Sequence, residues 1–298
     1  MKPATTASLS QGLGPISPPI VLTIAGFDPS SGAGITADLK VFAAHQLYGV
    51  SAITALTVQS TQGVRRSHPV EASLLRETLD CLSDDLSIAG VKIGMVGSAA
   101  NAAVIAEWLI RSRLSRTRVV LDPVLIASSG RELLDPAGVE LVKEQLLPCV
   151  GWLTPNLAEL ACLSGVPVEG REQMLAAAVK LAQEAGLGVV ATGGHLDPPD
   201  DLLVAPRGAG AIAGSITESI AESGAGEYWF AGQRIESRAT HGTGCAFSSA
   251  MLSRLVQGAE PLSAVAGAKQ YVREAMLAAY PVGQGCGPLD HFYAQRLG

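Results

Sequence analysis

The feature that most constrains this chain is a repeated alternation of short aliphatic runs with segments of helical period. Ile20–Ala25, Val50–Val58, Val91–Met95, Arg118–Leu121, Gly151–Leu153 and Gly188–Thr192 read as strands. Between them, Gly34–Tyr48, Glu71–Leu86, Ala99–Arg113, a segment from Asn156, and Arg171–Ala185 read as helices. In the second of these, Leu74, Leu75, Leu79, Leu82 and Leu86 fall near one face. Strand–helix–strand repetition implies parallel pairing with right-handed crossovers. The expected fold is α/β: a central mostly parallel sheet with helices on both faces. Composition agrees, since 48% hydrophobic residues, only 16% charged residues and 33 glycines suit strands buried on both sides.

The rhythm breaks over Pro198–Gly232. There Asp201–Ala205 and Tyr228–Ala231 read as a β-hairpin with a long tip over residues 206–226. The tip reads as a surface insertion, with a lid as the alternative. The pattern then closes with helices over about Gly244–Gln257 and Pro261–Ala279. Residues 1–19, rich in Ser, Thr, Pro and Gly, read as a disordered lead-in, and residues 20–298 as one domain.

Several classes are disfavoured. A net charge of −6 argues against nucleic acid or an anionic membrane surface as partner. No apolar run reaches the ~18 residues of a membrane-spanning helix, and no signal-peptide run is present. Cys81, Cys149, Cys162, Cys245 and Cys286 are scattered, without a Cys-x-x-Cys pair, which fits neither a disulfide framework nor a zinc site. A reducing, cytoplasmic setting is expected.

Ligands of parallel α/β sheets sit at the carboxyl ends of the strands. No Gly-Lys pair occurs, so a Walker-type loop is absent. Gly32-x-Gly34-x-x-Ala37 matches a dinucleotide fingerprint, but the glycines stand too far beyond the strand. No Asp or Glu lies between Lys40 and Val70 to bind a ribose. His241-Gly242-Thr243-Gly244-Cys245 opens an apolar helix. Its glycines allow close backbone approach, and the helix start favours an anion such as a transferring phosphoryl group. A thiol there is expected to favour its thiolate form. The alternative is a glycine turn with Cys245 as a small core residue.

Other strand ends offer further candidates. Gln59 carries a donor and an acceptor that match the edge of an aminoheterocycle, or else is a polar terminus facing water. Asp122 ends a strand before Pro123. Asn156 and Glu159, three apart at a helix start, suit Mg²⁺ with its waters, or a capping box, or both. Asp38, early in the first helix, also reads as a partner of the helix dipole. His195 and His241 sit on loops that line such a site; His45, His68 and His291 read as structural or exposed.

Seven segments occur in order: AGFDPSSGAGITADLK, ITALTVQ, KIGM, LDPV, TPN-x-x-E, GGH and HGTGC. Together they resemble the hydroxymethylpyrimidine/phosphomethylpyrimidine kinases of thiamine biosynthesis, within the ribokinase-like superfamily. The resemblance runs from about Ile20 to Tyr293, ending in GQGCGPLDHFY. It implies a ribokinase-like three-layer sandwich, usually a homodimer, acting on small molecules with ATP and Mg²⁺ as cofactors. The implied reaction phosphorylates 4-amino-5-hydroxymethyl-2-methylpyrimidine to its monophosphate, and then that to the diphosphate. Gln59 would bind the aminopyrimidine edge, with Gly26, Asp38 and Met95 around the ring. Asn156 and Glu159 would hold Mg²⁺ near the ATP phosphates, with Asp122 and Thr192 close by. Gly242, Thr243 and Gly244 would form the anion hole, and Cys245 would be the base. Three positions depart from the family pattern: Thr192 and Ser128 stand where lysines are common, and Phe27 where a small hydroxyl residue is usual. A pyridoxal-type kinase and a non-catalytic pyrimidine binder are the rival readings.

Overall fold

A computed structural model of the chain describes residues 17–127, 130–206, 220–224 and 226–296. Most of the lead-in expected over 1–19, the greater part of the 206–226 tip, and Ser128 lie outside these residues.

The strands are β1 (Ile20–Phe27), β2 (Tyr48–Ser60), β3 (Gly63–Pro69), β4 (Ile88–Ile93), β5 (Val119–Leu121), β6 (Trp152–Leu153), β7 (Gly188–Ala191), β8 (Asp201–Val204), β9 (Ile220–Gly224) and β10 (Glu227–Phe230). Among the described residues they form one ten-stranded sheet in the order β3-β2-β1-β4-β5-β6-β7-β8-β10-β9. The six central strands, β2, β1, β4, β5, β6 and β7 in sheet order, pair in parallel. Antiparallel strands finish both edges.

Successive strand residues serve opposite cores, as the two-residue period of a strand requires. Leu22, Ile24, Leu121, Leu153, Val189 and Leu202 face one cluster; Val21, Val120, Trp152, Val190 and Leu203 face the other. The first cluster is covered by α2 (Ala72–Asp85), α3 (Ala99–Ser112), α4 (Pro136–Leu141), α5 (Leu157–Ser164) and α6 (Arg171–Ala185). The second is covered by α1 (Gly34–Ala44), α7 (Thr243–Val256) and α8 (Pro261–Leu277). The expected three layers are therefore present, and a short helix, α9 (Tyr293–Arg296), follows them.

Some boundaries differ from the sequence reading. The first helix ends at Ala44, because Gln46 takes a left-handed φ of 60° and Tyr48 already opens β2. Gln59 lies inside β2 rather than closing it. The two strands expected as a hairpin do pair antiparallel, as β8 and β10 with Phe230 opposite Asp201 and Glu227 opposite Val204, but β9 lies between them in the chain and pairs with the other side of β10. Strands β3 and β9 and helix α4 were not expected. The sequence GVRRSHP of β3 lacks alternation, since it is a largely exposed edge strand.

Candidate active site

The carboxyl ends of the parallel strands open into one cleft of ≈ 1480 Å³. A single small-molecule pocket takes roughly 300–1,000 Å³, so this cleft has room for two ligands.

One wall is organised by Asp28, in the loop after β1. Its Oδ1 accepts from the Ser30 amide at 2.8 Å and the Ser30 hydroxyl at 2.7 Å. Its Oδ2 accepts from the Gly32 and Ala33 amides at 3.1 and 2.9 Å, and meets His241 Nε2 at 2.8 Å. Burial pushes this carboxyl up, but the hydrogen bonds, that of His241 foremost, hold it down at about 2. Gln59 reaches the same histidine from β2, its amide nitrogen 3.1 Å from His241 Nε2 and its amide oxygen 3.1 Å from Thr57 Oγ1. A Cβ on Gly26 would lie 2.9 Å from Met95 Sδ, so the missing side chain makes room for Met95 in the cleft lining.

The loop of Gly32 and the loop of Gly242 interlock. A Cβ on Gly32 would stand 2.2 Å from His241 Cδ2, and one on Gly242 would stand 1.8 Å from the Gly32 carbonyl oxygen. Gly242 also holds a left-handed φ of 83° as it caps α7. The contact with His241, rather than a pyrophosphate, accounts for glycine at position 32.

Beneath this wall lies a buried charge cluster. Lys92 Nζ lies 3.0 Å from each carboxylate oxygen of Asp38 and 3.8 Å from Asp122 Oδ2. Asp38 also accepts from Thr23 Oγ1 at 2.6 Å and Ser249 Oγ at 2.8 Å. Burial works against the ammonium, yet Asp38, with Cys245 and Asp122, raises its pKa above the ordinary lysine value. Asp38, expected around the ring, is wholly buried and does not reach the cleft. It lies on the face of α1 that turns to the sheet, alongside Val41 and Phe42, so its carboxylate is committed to Lys92.

Gly242, Thr243, Gly244 and Cys245 line the cleft at the start of α7, where no side chain caps the helix. Amides of an uncapped first turn are available to an anion. The Cys245 thiol departs from expectation: burial pushes it up to about 12, with Lys92 opposing and Asp122 and Asp38 adding to the rise. The helix start does not outweigh desolvation and two carboxylates, which favour the protonated thiol.

Next to the start of α7 stands a carboxylate pair. Asp122, at the end of β5, accepts from Ser248 Oγ at 3.2 Å, and burial raises its pKa although Lys92 opposes the rise. Glu159 is pushed up to about 8 by burial and by the charge of Asp122. Asn156 and Glu159 form the full capping box of α5: Asn156 Oδ1 accepts the Glu159 amide at 3.0 Å, and Glu159 Oε2 accepts the Asn156 amide at 2.9 Å. Two buried carboxylates that disfavour each other's charge, beside a carboxamide oxygen, make a hard-oxygen donor set that fits Mg²⁺. Among the described residues no cluster of three or more His, Cys, Asp or Glu suits a metal held by protein alone. Thr192 lines the cleft after β7, with its amide bonded to the Pro155 carbonyl at 2.9 Å.

The family model described as phosphomethylpyrimidine kinase matches residues 28–290. The chain belongs to that family. A hydroxymethylpyrimidine/phosphomethylpyrimidine kinase of Rhizobium meliloti is 39% identical, over 92% of this chain and 97% of the relative. The thiamine biosynthesis bifunctional protein ThiED of Geobacter sulfurreducens is 38% identical over 92% of this chain, which spans 52% of that longer protein. Among solved structures, the phosphomethylpyrimidine kinase of Clostridium difficile 630 superposes with a TM-score of 0.70 at 32% identity, covering 86% of this chain and 99% of that one. An ADP complex of Bacillus subtilis pyridoxal kinase superposes with a TM-score of 0.79 at 29% identity, covering 95% and 100%.

Within this member of the phosphomethylpyrimidine kinase family, every site residue expected from sequence except Asp38 lines the one cleft. Phe27 lines it too. His195 is exposed at the cleft and His241 is the link described above, whereas His45 caps α1, His68 lies on exposed β3 and His291 is buried. Sequence reasoning missed Lys92, Thr57 and Lys269. Lys92 had a visible signal: a lone charge inside an apolar strand needs a buried partner. Lys269, on α8, bonds Asp201 Oδ2 at 2.5 Å, and only the folded chain brings the two together.

Proposed function

We propose that this chain transfers the γ-phosphoryl group of ATP to 4-amino-5-hydroxymethyl-2-methylpyrimidine, and then to the resulting monophosphate, in thiamine biosynthesis. The observation that carries this reading is the convergence on one cleft of Gln59, Cys245, the uncapped start of α7, Asp122 and Glu159. Phosphoryl transfer asks a protein chiefly for positioning and charge stabilisation, which these groups supply.

In this reading Gln59 meets the ring edge, and Gly26 and Met95 flank it. The amides of Gly242, Thr243 and Gly244 receive the transferring group. Asn156 and Glu159 would hold Mg²⁺, with Asp122 close by, and the ion would supply neutralisation of phosphate charge. Lys92 favours the Cys245 thiolate, which takes the alcohol proton and becomes the neutral thiol. Positive charge for the phosphates comes from Lys269, Arg234 and Arg273, all at the cleft; this offsets the uncharged Thr192. A cytoplasmic homodimer is the proposed setting, and light scattering tests the dimer. No helix among the described residues is long and apolar enough to cross a membrane.

A second reading, pyridoxal phosphorylation, draws on the likeness to the Bacillus subtilis pyridoxal kinase. An ATP-consumption assay with the hydroxymethylpyrimidine, its monophosphate and pyridoxal separates the two. The proposal expects turnover of both pyrimidines. Turnover of pyridoxal alone would favour the second reading, and none with any acceptor would leave a non-catalytic binder.

A further inference from the structure

We propose that His241 is a positioning residue that locks the Gln59 carboxamide in one orientation, so that the cleft takes an amino-substituted heterocycle and rejects its oxo counterpart. The inference rests on the reading above, in which Gln59 meets the ring edge.

The argument is a count of protons. Asp28 is an ionised carboxylate and can only accept. The hydrogen bond of 2.8 Å between its Oδ2 and His241 Nε2 therefore places the proton on Nε2. That same protonated Nε2 has no lone pair and faces one end of the Gln59 amide at 3.1 Å. Only the amide oxygen suits that place, sharing the single N–H with Asp28 in a three-centre bond, whereas an amide N–H would set donor against donor. On the other flank, Thr57 Oγ1 has a single proton. The Phe27 carbonyl, 2.9 Å away, can only accept it. Thr57 therefore turns a lone pair to Gln59 at 3.1 Å and needs an amide N–H. Both neighbours specify the same amide, oxygen to His241 and nitrogen to Thr57, which exchanges the two amide atoms relative to the placement given above. The reversed amide fills the same volume but sets donor against donor at His241.

The lock is itself well held. Asp28 takes four further hydrogen bonds from Ser30, Gly32 and Ala33. The imidazole lies where a Gly32 side chain would be, and its side chain is 13% exposed.

With its flanks fixed, Gln59 has one N–H and one oxygen lone pair left for a ligand, in a set order. An amino group beside a ring nitrogen offers a donor and then an acceptor. The oxo form, with a protonated ring nitrogen, offers the same two in reverse. An unrestrained glutamine serves either by rotating its amide; a locked one serves the first only.

The test is calorimetric titration with 4-amino-5-hydroxymethyl-2-methylpyrimidine and its 4-oxo counterpart, on the wild type, His241→Phe and His241→Gln. Phe keeps the ring and removes the N–H; Gln restores an N–H near the place of Nε2. The readout is the ratio of the two dissociation constants within one protein sample, from which the folded fraction cancels. The wild type should prefer the amino form. His241→Phe should shrink that preference by about tenfold or more, the worth of one hydrogen bond, and His241→Gln should keep most of it. An unchanged ratio in His241→Phe overturns the lock, as does a collapse in His241→Gln equal to that in Phe. A wild type that binds neither ring overturns the function on which the inference rests, which is a distinguishable result.

Discussion

Lys92 and Asp38 form an ion pair with no solvent access, the ammonium 3.0 Å from both carboxylate oxygens. Such a pair is a poor source of net stability, because desolvation offsets most of the attraction. Its place in the fold gives it another use: it fixes a positive charge beside Asp122 and Cys245. Lys92→Met should leave two buried carboxylates without a counter-charge and cost about 3–5 kcal/mol of stability. Denaturant unfolding measures this. A loss below about 1 kcal/mol would mean that the cluster tolerates the change, and would remove the charge-balancing role.

Gln59→Ala should weaken pyrimidine binding by about 1–3 kcal/mol, because the ring's polar groups lose their partner. ATP binding should hardly change. Unaltered pyrimidine affinity in a titration would return Gln59 to the role of a polar residue at the cleft mouth.

Cys245→Ser should separate the two chemical steps. The alcohol of the first step must lose its proton as it attacks, whereas the phosphate monoester of the second, with a second pKa of about 6, is mostly ionised at neutral pH. Phosphorylation of the alcohol should fall by roughly 10²–10⁴-fold and that of the monophosphate far less. Because the free thiol is pushed up to about 12, the rate for the alcohol should also rise with pH across the neutral range in the wild type. Single-turnover rates on both acceptors supply the comparison; equal losses would point to site geometry rather than proton removal.

Glu159 predicts a pH dependence with a definite sign. Its carboxyl is pushed up from 4.5 to about 8, so the folded chain holds a proton that the unfolded chain has lost in that window. Stability of the cation-free protein should fall as pH rises between these values. Mg²⁺ with nucleotide displaces that proton on binding, so titration at pH 7 in buffers of different ionisation enthalpy should detect proton release. Binding heats that do not depend on the buffer would contradict the shift.

Much of this architecture was legible in the sequence, for definite physical reasons. Strands buried on both faces are apolar along their length, so β1, β4, β5 and β7 announced themselves, and with them the loops at their carboxyl ends. The capping box of Asn156 and Glu159 was readable because it is local, spanning three residues. Edge strand β3 was not, since largely exposed residues carry no burial period. Asp38 was placed at the ligand because its segment belongs to a motif, but helical phase turns it inward to Lys92. That pairing joins residues 54 apart in the chain, and the Cys245 thiol responds to a cluster assembled from β4, β5 and α1. No local spacing encodes either effect.

The interlock of Gly32 with His241 and Gly242 has a thermodynamic consequence. On the function proposed above, one loop would shape the wall where the heterocycle sits and the other would receive the phosphate, and the two touch with no side chain between them at Gly32 and Gly242. A ligand that orders one loop has already ordered part of the other, so the second ligand meets a site with less disorder left to lose. Linkage makes the effect mutual: the factor by which nucleotide tightens pyrimidine binding must equal the factor by which pyrimidine tightens nucleotide binding. The two halves of the cleft are then cooperative without any subunit contact.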